Sequence, residues 1–224
     1  WVSVGVTHEV NQAANTPGSP PRLMTIRIID LNDGSSHAVK GPRDEQLLRK
    51  GLCDEPDNVR YLFYLANTLR ESGDMEKVRE SIGIYKRHRE LQHWDEEKWH
   101  SLLYIGQCWE ALSKGVSDKD HKQELWNKAL MSYLDAYKER NTRCEPLFRI
   151  ANYYRINDLP IQGFVFALAA STIPFPSSDI LFVEKTFYDY LVNEELSICS
   201  YWAGRRPEGW HALQMLLRLD DTKS

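Results

Sequence analysis

The sequence predicts a mainly α fold, a solenoid of repeated helix pairs (an α-α superhelix) entered through a short β-ribbon or extended arm. Three observations predict it. Residues 64–70 and 149–155 are versions of one another: each has an apolar residue, Ala-Asn, two further residues and Arg, so Asn67 and Arg70 recur as Asn152 and Arg155, 85 residues on. A helical turn recurring at long period marks units that stack to share a core none could build alone. Small residues (Ala66, Gly106 and Ala151) recur where two helices of a pair would cross too closely for a larger side chain. The texture also changes near residue 43, from alternating and Pro-rich to a sustained helical period.

The arm comes first. Val2, Val4, Val6 and Val10 alternate with small or polar residues, and residues 23–31 alternate again before the turn chemistry of Asn32-Asp33-Gly34-Ser35. Between them, Pro17, Gly18, Pro20 and Pro21 predict an irregular loop. Two strands of this size are marginal alone, so residues 1–42 are expected to lean on other structure. Residues 43–224 are expected to hold about eight helices.

The units follow in order. Leu62, Leu65, Ala66 and Leu69 open the first, Gly73-Asp74 turns the chain, and Val78, Ile82 and Tyr85 line the return helix. Leu102, Ile105, Gly106 and Trp109 open the second, answered by Ala129, Tyr133 and Ala136 and closed by Pro146. Leu147, Ile150, Ala151 and Tyr154 open the third, answered by Gly163, Ala167 and Ala170. A fourth runs from Leu196 through Gly204 to Leu213 and Leu216. This spacing resembles the tetratricopeptide repeat, a helix pair of roughly 34 residues. Residues 113–123, polar and without apolar period, are expected to be a long loop inside the second unit. The Asp118-Lys119-Asp120 within it has the form of an Asp-x-Asp metal site but reads as solvated carboxylates.

Composition narrows the function. The chain has 224 residues, 42% hydrophobic and 27% charged, enough for an ordinary core, and its net charge of −4 argues against nucleic acid as partner. The longest apolar run, residues 164–170, is too short to span a bilayer. Cytoplasmic residence is the expectation. Cys53, Cys108, Cys144 and Cys199 show no Cys-x-x-Cys and are expected to be buried thiols. The many aromatics, Trp99, Trp109 and Trp126 among them, are expected to pack between helices.

Two candidate sites stand out. Asn67, Arg70, Gln107, Glu110, Asn152 and Arg155 share one face of successive first helices, which would line a concave groove suited to a peptide backbone and a carboxylate or phosphate. The competing expectation is that Arg70 and Arg155 form structural ion pairs, for instance with Glu71 or Glu110. His8-Glu9 is the second. Gln12 stands where a zinc-binding His-Glu-x-x-His would need its second histidine.

An ordered series of segments carries a more specific resemblance: Gly5-Val6-Thr7-His8-Glu9, Asn32-Asp33-Gly34-Ser35, Asp57-Asn58 with Arg60-Tyr61 and Phe63-Tyr64-Leu65-Ala66, Trp94-Asp95-Glu96-Glu97, Cys144-Glu145-Pro146-Leu147, and Ser178-Asp179-Ile180-Leu181-Phe182-Val183-Glu184. The chain resembles, over essentially its whole length, the C-terminal part of family-2-like glycosyltransferases, where a catalytic domain is followed by a tetratricopeptide-like helical region. The resemblance implies that residues 5–9 end the catalytic domain and that the nucleotide-sugar-binding half, with its Asp-x-Asp, precedes Trp1. It implies a nucleotide sugar and a divalent cation (Mn²⁺ or Mg²⁺) for the intact enzyme, with His8 as a metal ligand there and Glu9 behind it. This chain alone would hold no catalytic residue and no cofactor. It would serve as scaffold, its partners the preceding catalytic domain and a protein or glycan acceptor. The alternative is a free-standing adaptor that binds a peptide in its groove. That the chain begins with Trp1 adds the expectation that it belongs to something longer.

Overall fold

The structure, a computed structural model, describes residues 2–4, 6, 10–12 and 37–221. Among them are two short strands and nine helices, and the chain divides into two compact units, Trp1–Leu91 and Gln92–Ser224.

In the N-terminal unit, β1 (Val2–Val4) and β2 (Val10–Gln12) pair antiparallel, Val4 opposite Val10. The expected ribbon joined residues 1–10 to residues 23–31; the pairing seen instead joins residues 2–4 to residues 10–12, at the start of the expected loop, and residues 23–31 lie outside the described residues. Helix α1 (His37–Asp54) begins six residues before the expected start at 43. Helix α2 (Val59–Glu71) starts where the Asn58 side chain accepts from the Tyr61 N–H, satisfying one of the orphan donors of the first turn. Gly73 then takes φ +76°, a left-handed turn that only glycine adopts without strain, and α3 (Met75–Leu91) returns. Leu48, Tyr61, Leu65 and Leu69 form this unit's core, with Val6 packed against it.

The C-terminal unit is a run of hairpins: α4 (Asp95–Lys114) with α5 (Lys119–Glu139), α6 (Glu145–Ile156) with α7 (Pro160–Ser171), and α8 (Val192–Trp202) with α9 (Arg206–Asp221). Each follows from local chemistry. Asp95, Glu96 and Glu97 place negative charge on the first turn of α4, where the helix dipole favours it. Pro146 and Pro160 sit in the first turns of α6 and α7, where a missing N–H costs nothing. Short turns fold each pair back on itself.

The expected loop at residues 113–123 shrinks to residues 115–118. Helix α4 runs to Lys114 and α5 begins at Lys119, its N-cap Asp118 accepting from the His121 N–H at 2.8 Å. Its first turns are solvent-facing, which is why they lack apolar period, and the Asp-x-Asp form resolves into a helix cap.

The core of this unit gathers Trp99, Leu103, Trp126, Ala129, Tyr133, Ala136, Leu147 and Ile150. Gly106 is small for the expected reason: a Cβ there would come within 2.5 Å of the Tyr133 ring. Trp99 donates from Nε1 to the Ala136 carbonyl at 2.8 Å, fastening α4 to the end of α5. The aromatic expectation holds for Trp99 and Trp126, both fully buried, whereas Trp94, Trp202 and Trp210 are exposed. All four cysteines are free thiols; three are buried, and Cys53, on the outer side of α1, is exposed.

Candidate functional site

A buried polar cluster lies in the C-terminal unit, where α4, the turn before α6, and the segment of residues 172–186 meet. Arg143 is its centre. Its guanidinium is fully buried, lies 4.4 Å over the Trp99 ring, and donates to Glu145 (2.7 Å) and Asp179 (3.4 Å). Arg140 grips Asp179 with two parallel bonds of 2.7 and 2.9 Å, a bidentate geometry that adds direction to charge. Glu96 accepts from the backbone N–H groups of Ile180 and Leu181 at 2.9 and 2.8 Å, and Tyr188 donates to Glu145 at 3.0 Å. Three carboxylates thus face two guanidiniums, a net charge of −1, and each carboxylate has a guanidinium within 3.7 Å, Glu96 being held by two backbone N–H groups as well.

These contacts hold residues 179–182 against α4. The backbone there is constrained: Phe182 has φ +45°, rare for a non-glycine residue. Tyr188 reaches Glu145 from a π-helical turn, Phe187–Leu191, that leads into α8. Such turns are frequent at functional sites. The Arg140 guanidinium holds the Asp179 carboxyl below its ordinary value despite burial. Burial pushes the Cys144 thiol up to about 12, so it is inert at neutral pH.

Beside the cluster opens a notch lined by His100, Tyr104, Gln107, Arg149, Phe182 and Glu184. His100 is 2% exposed. Its Nε2 lies 2.9 Å from the Leu181 carbonyl oxygen, which can only accept, so Nε2 carries the proton and Nδ1 is bare. Burial pulls its pKa down to about 4, which keeps the ring neutral. Nδ1 has no hydrogen-bond partner, and neither does the buried Nε of Arg149.

The six groove residues divide between the two units. Asn67 and Arg70 lie on α2, where Tyr85 of α3 donates to Asn67 Oδ1 (2.6 Å), Arg70 Nε donates to the Tyr85 hydroxyl (3.2 Å), and Arg70 also pairs with Glu71. Glu110 is buried, accepting from Tyr133 of α5 and from Lys114, both at 2.6 Å. Asn152 and Arg155 both donate to Glu195 of α8, at 3.0 and 2.7 Å. The residues that repeat in sequence therefore repeat in use, each tying its own helix to a neighbour. The return helix of the third pair, α7, carries no tyrosine to match Tyr85 or Tyr133, and Arg155 reaches the following hairpin instead of its own. Gln107 alone of the six lines the notch. His8 lies outside the described residues.

Sequence reasoning passed over His100, Arg143, Arg149 and Asp179 as site residues. Asp179 fell in a segment noted for resemblance but was given no role. Arg149 had a visible signal: it stands at the place in the repeated stretch where the first copy has Tyr64.

No helix among the described residues is long and apolar enough to cross a membrane. Compared with known proteins, the chain matches no family model, and no curated protein matches it at a significant level.

Proposed function

We propose that the chain is a tetratricopeptide-like helical-repeat module that serves a glycosyltransferase as its C-terminal scaffold and binds an acceptor or partner, with no chemistry of its own. One observation supports this above others. Segments 94–97, 144–147 and 178–184, which carry the resemblance to that family, lie far apart in sequence yet meet in one buried network through Glu96, Glu145 and Asp179. The hairpins, with small residues at the crossings, support the repeat reading. The nucleotide sugar and its cation belong, on this reading, to a domain preceding Trp1, and His8 would act only there.

The purified chain, incubated with nucleotide-sugar donors and divalent cation, is expected to release no nucleotide above a buffer blank. Turnover above the blank refutes the scaffold reading. The adaptor alternative shares this outcome and differs in having no catalytic domain before residue 5.

A further inference from the structure

Helix α9 turns its small residues inward and its large apolar ones outward. A Cβ on Gly209 would come within 2.9 Å of the Ser200 Cβ, and the fully buried Ala212 packs with Leu196 and Cys199, so α9 meets α8 through small residues. On the outside, Trp210 is 62% exposed, Leu213 42% and Leu217 60%. Together with the exposed Arg206 they follow one another at spacings of four, three and four, which sets them on one stripe along the helix. The terminal unit in a stack of helix pairs needs a polar outer face. The last hairpin among the described residues carries an apolar seam there instead, and an exposed apolar stripe bounded by polar residues marks an interaction surface.

We propose that this seam pairs with the same seam of a second copy of the chain, the two α9 helices lying antiparallel about a two-fold axis near Leu213. The charge pattern along α9 selects both the partner and its direction. The sequence enters the helix at Arg205-Arg206 and leaves it at Asp220-Asp221, basic at one end and acidic at the other. Arg205 is paired with Glu208, so Arg206 heads the stripe, and the helical period brings positions 220 and 221 to either side of its far end. The opposing charges of the same turns, Glu208 and Arg218, lie off the stripe by that period. An antiparallel copy therefore meets a basic end with an acidic one at both ends of the seam, and sets Trp210 of each copy over the stretch from Leu213 to Leu217 of the other. A parallel copy would set Arg206 beside its twin and the acidic ends together, which like charges oppose. An interface of this kind is isologous, one patch complementary to itself. Three large apolar side chains from each copy put it at the small end of specific interfaces, below about 1,200 Å² in total, so the dimer is weak and reversible. Such pairing is independent of any catalytic domain before Trp1.

The test is sedimentation velocity of the full chain over a dilution series from submillimolar to low micromolar. The sedimentation coefficient is expected to rise with concentration toward that of a dimer. The double change Trp210→Ala, Leu217→Ser removes two exposed side chains and should abolish the rise, while a melting curve on dilute protein stays close to that of the wild type. Arg206→Glu, a second variant at an exposed position, sets like charges together at both ends and should weaken association by about tenfold or more. Adding Asp220→Lys and Asp221→Lys to that chain reverses the whole pattern and should recover association. A monomer at every concentration overturns the proposal. Association that survives the Trp210 and Leu217 changes in a folded chain places the interface elsewhere and overturns it equally. If the reversed chain fails to recover, the antiparallel arrangement is overturned. None of these results touches the scaffold reading, which stands or falls on donor turnover and on the preceding domain.

Discussion

Replacing Asp179 with asparagine removes one charge from the cluster while keeping the side chain's shape. The wild-type carboxylate, 3% exposed as a side chain, accepts two bonds from Arg140 and one from Arg143. Removing one partner of a buried pair costs about 3–5 kcal/mol, because the other charge is left uncompensated. Arg140 is about a quarter exposed and 3.7 Å from Glu96, so it can recover solvent and a second partner, and Arg143 keeps Glu145. Both effects place the cost at the lower end, about 3 kcal/mol, or a melting temperature lower by roughly 10 °C for a unit of this size. Thermal denaturation followed by circular dichroism measures it, with Lys128→Ala as control. Lys128 makes only an exposed pair with Glu124 and a cation–π contact with Trp109, so its loss should shift the melting temperature far less. If Asp179→Asn melts within a degree or two of the control, the cluster does not fasten residues 179–182 and the account of the site fails.

Other expectations follow from the same contacts. His100 has its folded pKa lowered, so the unfolded chain binds more protons below about pH 6.5; wild-type stability should fall between about pH 6.5 and 4, by roughly 3 kcal/mol from this residue. A His100→Gln variant, compared by urea denaturation across that window, should show a flatter profile. Gly106→Ala sets a Cβ into the Tyr133 ring; overpacking of about 1–3 kcal/mol exceeds the roughly 1 kcal/mol gained in helix propensity, so the variant should melt lower. Arg155→Ala leaves the buried Glu195 carboxylate with no cation, only the Asn152 amide and the weak Cys199 thiol as side-chain donors, and should destabilise by about 2–4 kcal/mol, whereas Arg70→Ala frees an exposed Glu71 and should cost about 1. Equal losses would sink that distinction. Under native conditions a thiol reagent should label Cys53 alone of the four cysteines, the others reacting only on unfolding.

The hairpins were legible because their signals are local. Ala66, Gly106 and Ala151 mark close crossings, and apolar residues three and four apart mark the buried faces. Helix α5 was misjudged at its start because Lys119 to Gln123 face solvent; Asp118 three residues before His121 was the capping signal that would have corrected it. The groove residues were found by repetition, yet repetition cannot say whether Asn and Arg look outward or to a neighbouring helix. Their partners, Tyr85, Tyr133 and Glu195, lie 15 to 43 residues away. The buried cluster was least legible of all: Glu96 meets Leu181 across 85 residues, and only folding brings Arg143 over Trp99.

The central claim is that this module belongs to a sugar-transferring enzyme, and the coding sequence upstream of Trp1 tests it most directly. The account predicts a nucleotide-sugar-binding α/β domain with an Asp-x-Asp, running without interruption into residues 5–9, His8 among them. An upstream sequence encoding no such domain would contradict it.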